Sequence, residues 1–351
     1  MNSSTSTSSL TFLVTGGAGF IGSNIVEELL KQGHKVKVID NFSTGRRENL
    51  EPFLNNRQPG TGNLELIVGD IRNLDLLRSV CKGVDYVLHQ AALPSVPRSI
   101  EDPVTTNEVN CTGTLNVLIA ARDCGVKRVV YASSTSVYGD TEELPQHEEM
   151  KPNPLSPYAV AKLTGEYLCR VFSRIYGLET VALRYFNVFG PRQDPNSEYA
   201  AVIPKFISAF RNNQRPVIYG DGEQSRDFIP VENVVRANLA ACLVPLPGQV
   251  KEKVKEEEEG ESAGSPSTST STFPFLLANV GTGERHTLNE LVQELCRLFG
   301  KKIEPVYAPP RPGDIKHSLA SVKILKEQLG LHQLVSFSEG LARLVNHQQF
   351  Q

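Results

Sequence analysis

No stretch of this 351-residue chain approaches the roughly 18–20 consecutive apolar residues that a bilayer span requires, so no membrane partner is expected. The six cysteines, Cys81, Cys111, Cys124, Cys169, Cys242 and Cys296, are scattered singly. They form no C-x-x-C, and no histidines cluster at metal-ligand spacing, which disfavours a zinc site or a disulfide framework and points to reduced thiols in a reducing compartment. No metal is expected. Basic clusters are missing beyond short pairs such as Arg46-Arg47, and the formal charge is −3, which argues against nucleic acid as a partner. The first ten residues are rich in serine and threonine and lack both a basic and an apolar region; they read as a disordered tail rather than a signal peptide, with the cytoplasm as the expected location. No internal repeat is visible.

What is present is a composition of 40% hydrophobic and 21% charged residues, enough for one large domain or two intimate ones with a real core. Phe12-Leu13-Val14-Thr15 reads as a short buried strand running directly into Gly16-Gly17-Ala18-Gly19-Phe20-Ile21-Gly22. Ile21, Ile25, Val26, Leu29 and Leu30 then recur at helical spacing up to Gly33. Glycines at 16, 19 and 22 allow the tight turn and the close backbone approach that set a pyrophosphate on a helix N-terminus. The next strand, Lys35 to Ile39, ends at Asp40, 18 residues beyond Gly22. A carboxylate there can bind both hydroxyls of an adenine ribose and repel a 2′-phosphate, which favours NAD over NADP. Arg46 and Arg47 are a weaker counter-signal, because they lie further along the loop.

Alternation continues through Leu64–Asp70, Val84–Gln90, Arg128–Ser133 and Thr180–Tyr185, with helical stretches between them and one helix from about Pro103 to Cys124. This pattern predicts an α/β fold, a Rossmann-type doubly wound parallel sheet with a smaller α/β substrate domain. The glycine loop, Asp40, Asp70, Gln90, Ser134 and Asn187 all fall at the carboxyl ends of strands, where ligands lie in such sheets. The expected division is a tail over 1–10, a dinucleotide-binding domain over 11–187 joined by about 223–247 and 273–281, and a second domain from 188–222 and 282–351. Residues 248–272, acidic and then rich in Ser, Thr, Pro and Gly, cannot bury apolar surface and read as a disordered surface insert.

The segment from Ser133 to Lys162 carries the chemistry. Ser156 and Pro157 read as the cap and first position of a helix, placing Tyr158 and Lys162 four apart on one face. A free tyrosine has a pKa near 10. An ammonium held about 4 Å away contributes roughly 4 kcal/mol at an effective dielectric near 20, enough to lower the phenol by about 3 units. Tyr158 would then be a proton acceptor, and Ser134, whose hydroxyl both donates and accepts, could bridge it to a substrate hydroxyl. A Y-x-x-x-K pair alone is common in helices, with the tyrosine packed and the lysine solvated. The glycine loop and the serine strand tip are what distinguish this one.

Taken together, the glycine loop, Asp40, the Ser/Tyr/Lys set and Arg184-Tyr185-Phe186-Asn187-Val188-Phe189-Gly190 resemble the extended short-chain dehydrogenase/reductase family. Within it the chain is similar to the UDP-hexose 4-epimerases, most of all to the branch acting on N-acetylated sugars. HQAALPSVPRS at 89–99, SPYAVAK at 156–162, LRYFNVFGPRQDP at 183–195 and SRDFIPVENV at 225–234 make the resemblance specific. It implies that Tyr158 takes the proton of the sugar 4-hydroxyl, through or beside Ser134, while hydride passes to NAD. Lys162 binds the nicotinamide ribose and holds the tyrosine pKa down; the 4-keto sugar turns over in its pocket and takes the hydride back on its other face. The implied cofactor contacts are Gly16, Gly19, Phe20, Ile21, Gly22, Asp40, Asn41, Ser43, Gly45, Asp70, Ile71, Gln90, Ala91, Ala92, Asn110, Tyr158, Lys162 and Tyr185. The UDP-sugar falls to Ser95, Val96, Ser134, Ser136, Asn187, Val202, Lys205, Tyr219, Arg226, Arg311, Asp314 and Ser318, with Arg226 at the diphosphate and Arg311 and Asp314 near the phosphates and uridine ribose. A homodimer through the helices near 103–124 and 157–176 is also implied.

Two positions choose among relatives. Thr135 and Ser136 stand where the dehydratases and decarboxylases of the family carry an acidic residue, so lyase chemistry is disfavoured. Ser318 stands where epimerases limited to non-acetylated sugars carry a tyrosine, which leaves room for a 2-acetamido group. UDP-glucose or UDP-glucuronate epimerisation, and a nucleotide-sugar sensor without turnover, remain the alternatives at this level.

Overall fold

A computed structural model describes residues 9–54, 63–194, 201–246, 273–310 and 315–347. The expected tail, apart from its last two residues, and the expected insert lie outside the described residues, as do Arg311 and Asp314. Seven strands form the central sheet: β1 (Thr11–Thr15), β2 (Lys35–Asp40), β3 (Leu64–Val68), β4 (Tyr86–His89), β5 (Arg128–Ser134), β6 (Glu179–Tyr185) and β7 (Phe275–Val280). Every neighbouring pair is parallel, in the order β7-β6-β5-β4-β1-β2-β3. The strands read as near-continuous apolar runs because helices cover both faces, as parallel sheets require. On one face Ile25, Val26 and Leu29 of the helix Phe20–Lys31 pack with Val14, Val38, Val130 and Val234. On the other, Leu77, Val117, Leu118, Cys169 and Phe172 pack with Leu13, Ile39, Val87 and Val129.

The order reverses between β1 and β4, so a crevice opens at the carboxyl ends of these two strands, where ligands bind in doubly wound sheets. β5 and β6 are registered so that Ser134 lies beside Tyr185. A third apolar cluster is built beyond the sheet by Phe189, Ile203, Phe206, Phe210, Leu291, Leu295 and Leu341. It unites the amphipathic helices Val202–Arg211, Leu288–Phe299 and Phe337–His347, the second of which opens on a complete capping box between Thr287 and Glu290.

The helix expected from about Pro103 to Cys124 is interrupted. It runs as a turn from Pro103 to Asn107, widens to a π-helical segment at Glu108–Thr112, and resumes as α-helix from Gly113 to Asp123. The widening coincides with Asn110, whose side chain turns inward to the loop after β4 (the Leu93 amide donates to Oδ1 at 2.8 Å; Nδ2 donates to the Leu93 carbonyl at 3.1 Å). A π-bulge at such a place re-aims a side chain toward a site.

Candidate active site

The glycine loop is a close fit of backbone on backbone. Gly16 has φ of 68°, and a Cβ there would sit 2.7 Å from Ala91; one on Gly22 would sit 2.2 Å from the Gly16 carbonyl oxygen. Alanine at either position would therefore displace main chain. The helix that follows starts at Phe20 without a side-chain cap and without an acidic residue in its first turn, which leaves its amide groups open to an anion. Asp40 lies at the tip of β2 beside this loop, buried and fixed, accepting from the amides of Ala18 at 2.9 Å and Phe42 at 2.8 Å. Burial pushes its carboxyl up, and the two amides pull it back. Gly45 abuts the carboxylate, where a Cβ would come within 2.9 Å.

Arg46 forms an ion pair with Asp194. Asp70, at the end of β3, is gripped by Arg72 and Asn41; the Arg72 guanidinium, opposed by partial burial, holds its carboxyl down at about 2. Asn41 also accepts from the Ser43 amide at 3.0 Å, and Asn116 donates to the carbonyl of Ile71 at 3.3 Å, so this rim is ordered by side chain to backbone contacts. After β4, Gln90 donates to Tyr185 at 3.1 Å and to Asn238 at 3.0 Å. Asn110, expected to meet the cofactor, spends both ends of its amide on Leu93, and so braces the loop carrying Gln90, Ala91 and Ala92.

Ser134 ends β5, and its hydroxyl is hydrogen-bonded to Tyr158 and accepts from the Ser136 amide at 3.2 Å. Tyr158 opens the helix Pro157–Tyr176, which is capped by Ser156. The Tyr158 amide donates to Ser99 at 3.1 Å, tying this helix start to the helix Val96–Glu101, itself capped by Ser95. One turn further on, the Lys162 ammonium donates to the Ala132 carbonyl at 2.8 Å and lies 5.8 Å from the centre of the Tyr158 ring. Here the structure corrects the sequence expectation of a lowered phenol. Burial raises the Tyr158 pKa and only the Ser134 hydrogen bond opposes it, because the ammonium sits over the ring face and is spent on backbone. Burial brings Lys162 itself down to about 8.

Ser134, Tyr158, Tyr185, Asn187, Phe20, Ile21, Val202, Lys205, Tyr219 and Arg226 line one cleft of about 700 Å³. Its wall is predominantly apolar, with polar groups at a few points, as small-molecule sites are. Arg226 donates to the carbonyls of Ser225 at 3.0 Å and Lys316 at 3.2 Å. Ser318 is not the surface residue a small side chain could have been. It is buried, its amide donates to the Ser225 carbonyl at 3.1 Å, and its hydroxyl faces the Asn187 carboxamide at 3.5 Å. Val96 is exposed, Ser136 Oγ is buried without a partner among the described residues, and neither lines the cleft.

Sequence reasoning did not find Asn238, Gln193, Arg215, Gln224 or Phe206. Asn238 is fully buried and hydrogen-bonded to Tyr185 at 2.8 Å; an asparagine on the apolar face of the helix Val231–Leu243 was its available signal. Arg215, Gln193, Gln224 and Phe206 line the cleft from elements whose position depends on packing distant in sequence.

Comparison with known proteins places the chain beside the NAD dependent epimerase/dehydratase family, which matches residues 12–254. The UDP-glucose 4-epimerase of Mycolicibacterium smegmatis is 36% identical over 335 residues, 95% of this chain and 96% of that protein. Among solved structures, the UDP-N-acetylglucosamine 4-epimerase from Methanobrevibacter ruminantium, in complex with UDP-N-acetylmuramic acid, is 39% identical with a TM-score of 0.83, over 98% of this chain and 99% of that one. The UDP-glucose 4-epimerase of Thermus thermophilus in complex with NAD is 35% identical with a TM-score of 0.77, over 97% and 99%.

Proposed function

From the premise that this chain belongs to the NAD dependent epimerase/dehydratase family, we propose that it is a 4-epimerase interconverting UDP-N-acetylglucosamine and UDP-N-acetylgalactosamine, with UDP-glucose and UDP-galactose as further substrates. The observation that carries the sugar assignment is Ser318, a small buried side chain that does not itself line the cleft but lies directly behind Asn187 of its wall, where a tyrosine would press on the space an acetamido group needs. The relatives above act on both kinds of sugar, which supports the epimerase and leaves the choice between sugars to this residue.

NAD fits the chain. The uncapped helix start accepts a pyrophosphate, and the Asp40 carboxylate at the β2 tip suits ribose hydroxyls while opposing a 2′-phosphate. With Arg46 paired to Asp194, the counter-signal for NADP weakens further. When bound, NAD supplies the hydride acceptor that becomes the hydride donor. In this reading Tyr158 takes the proton of the sugar 4-hydroxyl, with Ser134 within hydrogen-bonding reach of both. Lys162, anchored at Ala132, faces the Tyr158 ring one helical turn on. Thr135 and Ser136 provide no carboxylic acid, so neither can drive elimination from the 4-keto intermediate. Arg226 and Lys205 lie on the side of the cleft suited to a diphosphate, where guanidinium and phosphate make charge-assisted bonds.

We also propose a homodimer. The helix Pro157–Tyr176 exposes Val160, Tyr167, Val171 and Ile175, spaced to one face, and the adjoining segment adds exposed Ile100 and Val104. A contiguous apolar stripe of this kind marks an interface. Light scattering is expected to give the mass of two chains, with Val171→Glu shifting it toward one; a wild-type monomer contradicts the dimer.

Tyr158→Phe is expected to keep the fold and the dinucleotide but to lower kcat by about two orders of magnitude or more, the scale of a positioned proton acceptor. Unchanged steady-state kinetics in that variant would remove Tyr158 from the mechanism. Ser318→Tyr is expected to reduce kcat/KM for UDP-N-acetylglucosamine about a hundredfold relative to UDP-glucose, because the clash falls on the acetamido group alone. Equal losses on the two sugars would show that Ser318 does not select between them.

A further inference from the structure

Beneath the Tyr158–Lys162 stripe lies an ion pair that neither the cofactor nor the sugar needs for direct contact. Tyr158, Lys162 and Glu166 follow one another at intervals of four on the same helix face. Glu166 is 3% exposed, and Arg184 of β6 is 2% exposed. The pair is bidentate, Arg184 Nε donating to Glu166 Oε1 at 2.8 Å and Nη2 donating to Oε2 at 2.7 Å. The Ser133 hydroxyl donates to the same Oε1 at 2.5 Å. The remaining face of the guanidinium covers the Tyr138 ring, 4.6 Å from its centre, and Tyr138 in turn donates to Asn279 at 2.6 Å. A buried charged pair is a poor stabiliser compared with apolar residues of equal volume, since both ions lose their water. Its position directly under the site therefore calls for a role other than stability.

We propose that Glu166 is a positioning residue for the reaction, with Arg184 as its partner: it pins Ser133, and so the adjoining Ser134, by hydrogen bonding, and it supplies the counter-charge that keeps Lys162 an ammonium beside Tyr158. This rests on the reading of Tyr158 as the proton acceptor. Burial works against the charge of Lys162, while the Ala132 carbonyl and the faces of the Tyr131 and Tyr158 rings favour it. Among the titratable neighbours, Cys111 first and then Glu166 oppose the lowering by burial. Tyr131 of β5 presents its ring face 5.2 Å from the ammonium. His89 of β4 is buried between Thr15 and Thr114; burial first, and then Lys162, depresses its pKa to about 3, so it is neutral and adds no charge. Cys111, on the π-helical segment, is pushed up by burial and remains a thiol. Tyr158 on the same helix is a neutral phenol in the resting protein. Glu166, one turn further along the same helix face and paired with Arg184, is the carboxylate acting on Lys162.

The two partners should then act on Lys162 with opposite sign. Glu166→Gln removes the attraction and leaves Arg184 unbalanced, so Lys162 should lose its proton at lower pH, by about one unit. Arg184→Gln leaves Glu166 unbalanced, so the Lys162 pKa should rise. A role confined to packing predicts something else: both variants loosen the site, hydrate Lys162, and move it upward together.

The experiment is an NMR titration of the Lys162 Cε resonance in lysine-labelled full-length protein, assigned with Lys162→Met, alongside the pH profile of kcat and KM. Expected for Glu166→Gln are a downward shift of the lysine titration, a matching acid shift of the basic limb of kcat, and a KM within about threefold of wild type. Should the single variant fail to fold, the neutral pair Glu166→Gln with Arg184→Gln carries the same test, again with a downward shift expected. An unchanged or upward shift in the Glu166 variants overturns the proposal. The titration needs no turnover. An inactive wild-type protein would count against the epimerase reading, while the lysine shifts would still decide the role of Glu166 as counter-charge.

Discussion

The hydrogen bond from Lys162 to the carbonyl oxygen of Ala132 clamps the helix that begins at Pro157 onto the strand that ends at Ser134. Each of the three side chains singled out for chemistry depends on that clamp for its place. It is possible because the helix approaches the strand closely. Gly165 faces the Tyr131 ring at a distance where a Cβ would come within 2.3 Å of the phenol oxygen, so only the absence of a side chain lets the two elements meet. Tyr131 adds a hydrogen bond to the Lys162 carbonyl at 3.3 Å, and the strand register sets Tyr185 beside Ser134. Helix, β5 and β6 thus form one rigid unit under the cleft.

The opposite wall has a different anchor. Asp227, with no exposed surface, accepts from the amides of Thr282 at 2.8 Å, Gly283 at 2.9 Å and Ala320 at 3.2 Å, while its own carbonyl receives the Asn187 amide at 3.1 Å. Asp227 therefore ties together the Thr282–Gly283 loop and the segment just after Ser318 through its carboxylate, and Asn187 through its main-chain carbonyl. Burial pushes its carboxyl up and these donors pull it back, the balance expected of a buried acid satisfied by backbone amides. The main chain around Ser318 is thus held from two directions, by the Ser225 carbonyl and by Asp227 through Ala320.

The sheet and the glycine loop were legible because their signals are local. Parallel strands covered on both faces must be apolar throughout, and the tight loop at Gly16 to Gly22 tolerates few alternatives to glycine. Ser134, Tyr158 and Lys162 were legible as a set for the same reason, each at the end of an element whose boundary the sequence marks. The ionisation of the set was not. Helical spacing predicts that Tyr158 and Lys162 are neighbours, but it does not say that the ammonium will turn to a carbonyl of the next strand. Arg184 is a similar case. Within an apolar strand it reads as a tip residue, and its partner Glu166 lies 18 positions away on an element whose rotation only packing determines. The hydrogen bonds of Asn110 to Leu93 were not legible either, since a π-bulge depends on where a side chain finds its partner.

In the proposed function a base, a dinucleotide and an N-acetylated sugar meet in this cleft. Incubating the purified protein separately with UDP-N-acetylglucosamine and with UDP-glucose, without added cofactor, and resolving the products by NMR tests all three together. The account predicts formation of the matching galacto-epimer from each, faster from UDP-N-acetylglucosamine. No epimer from either sugar, even after NAD is supplied, would contradict it.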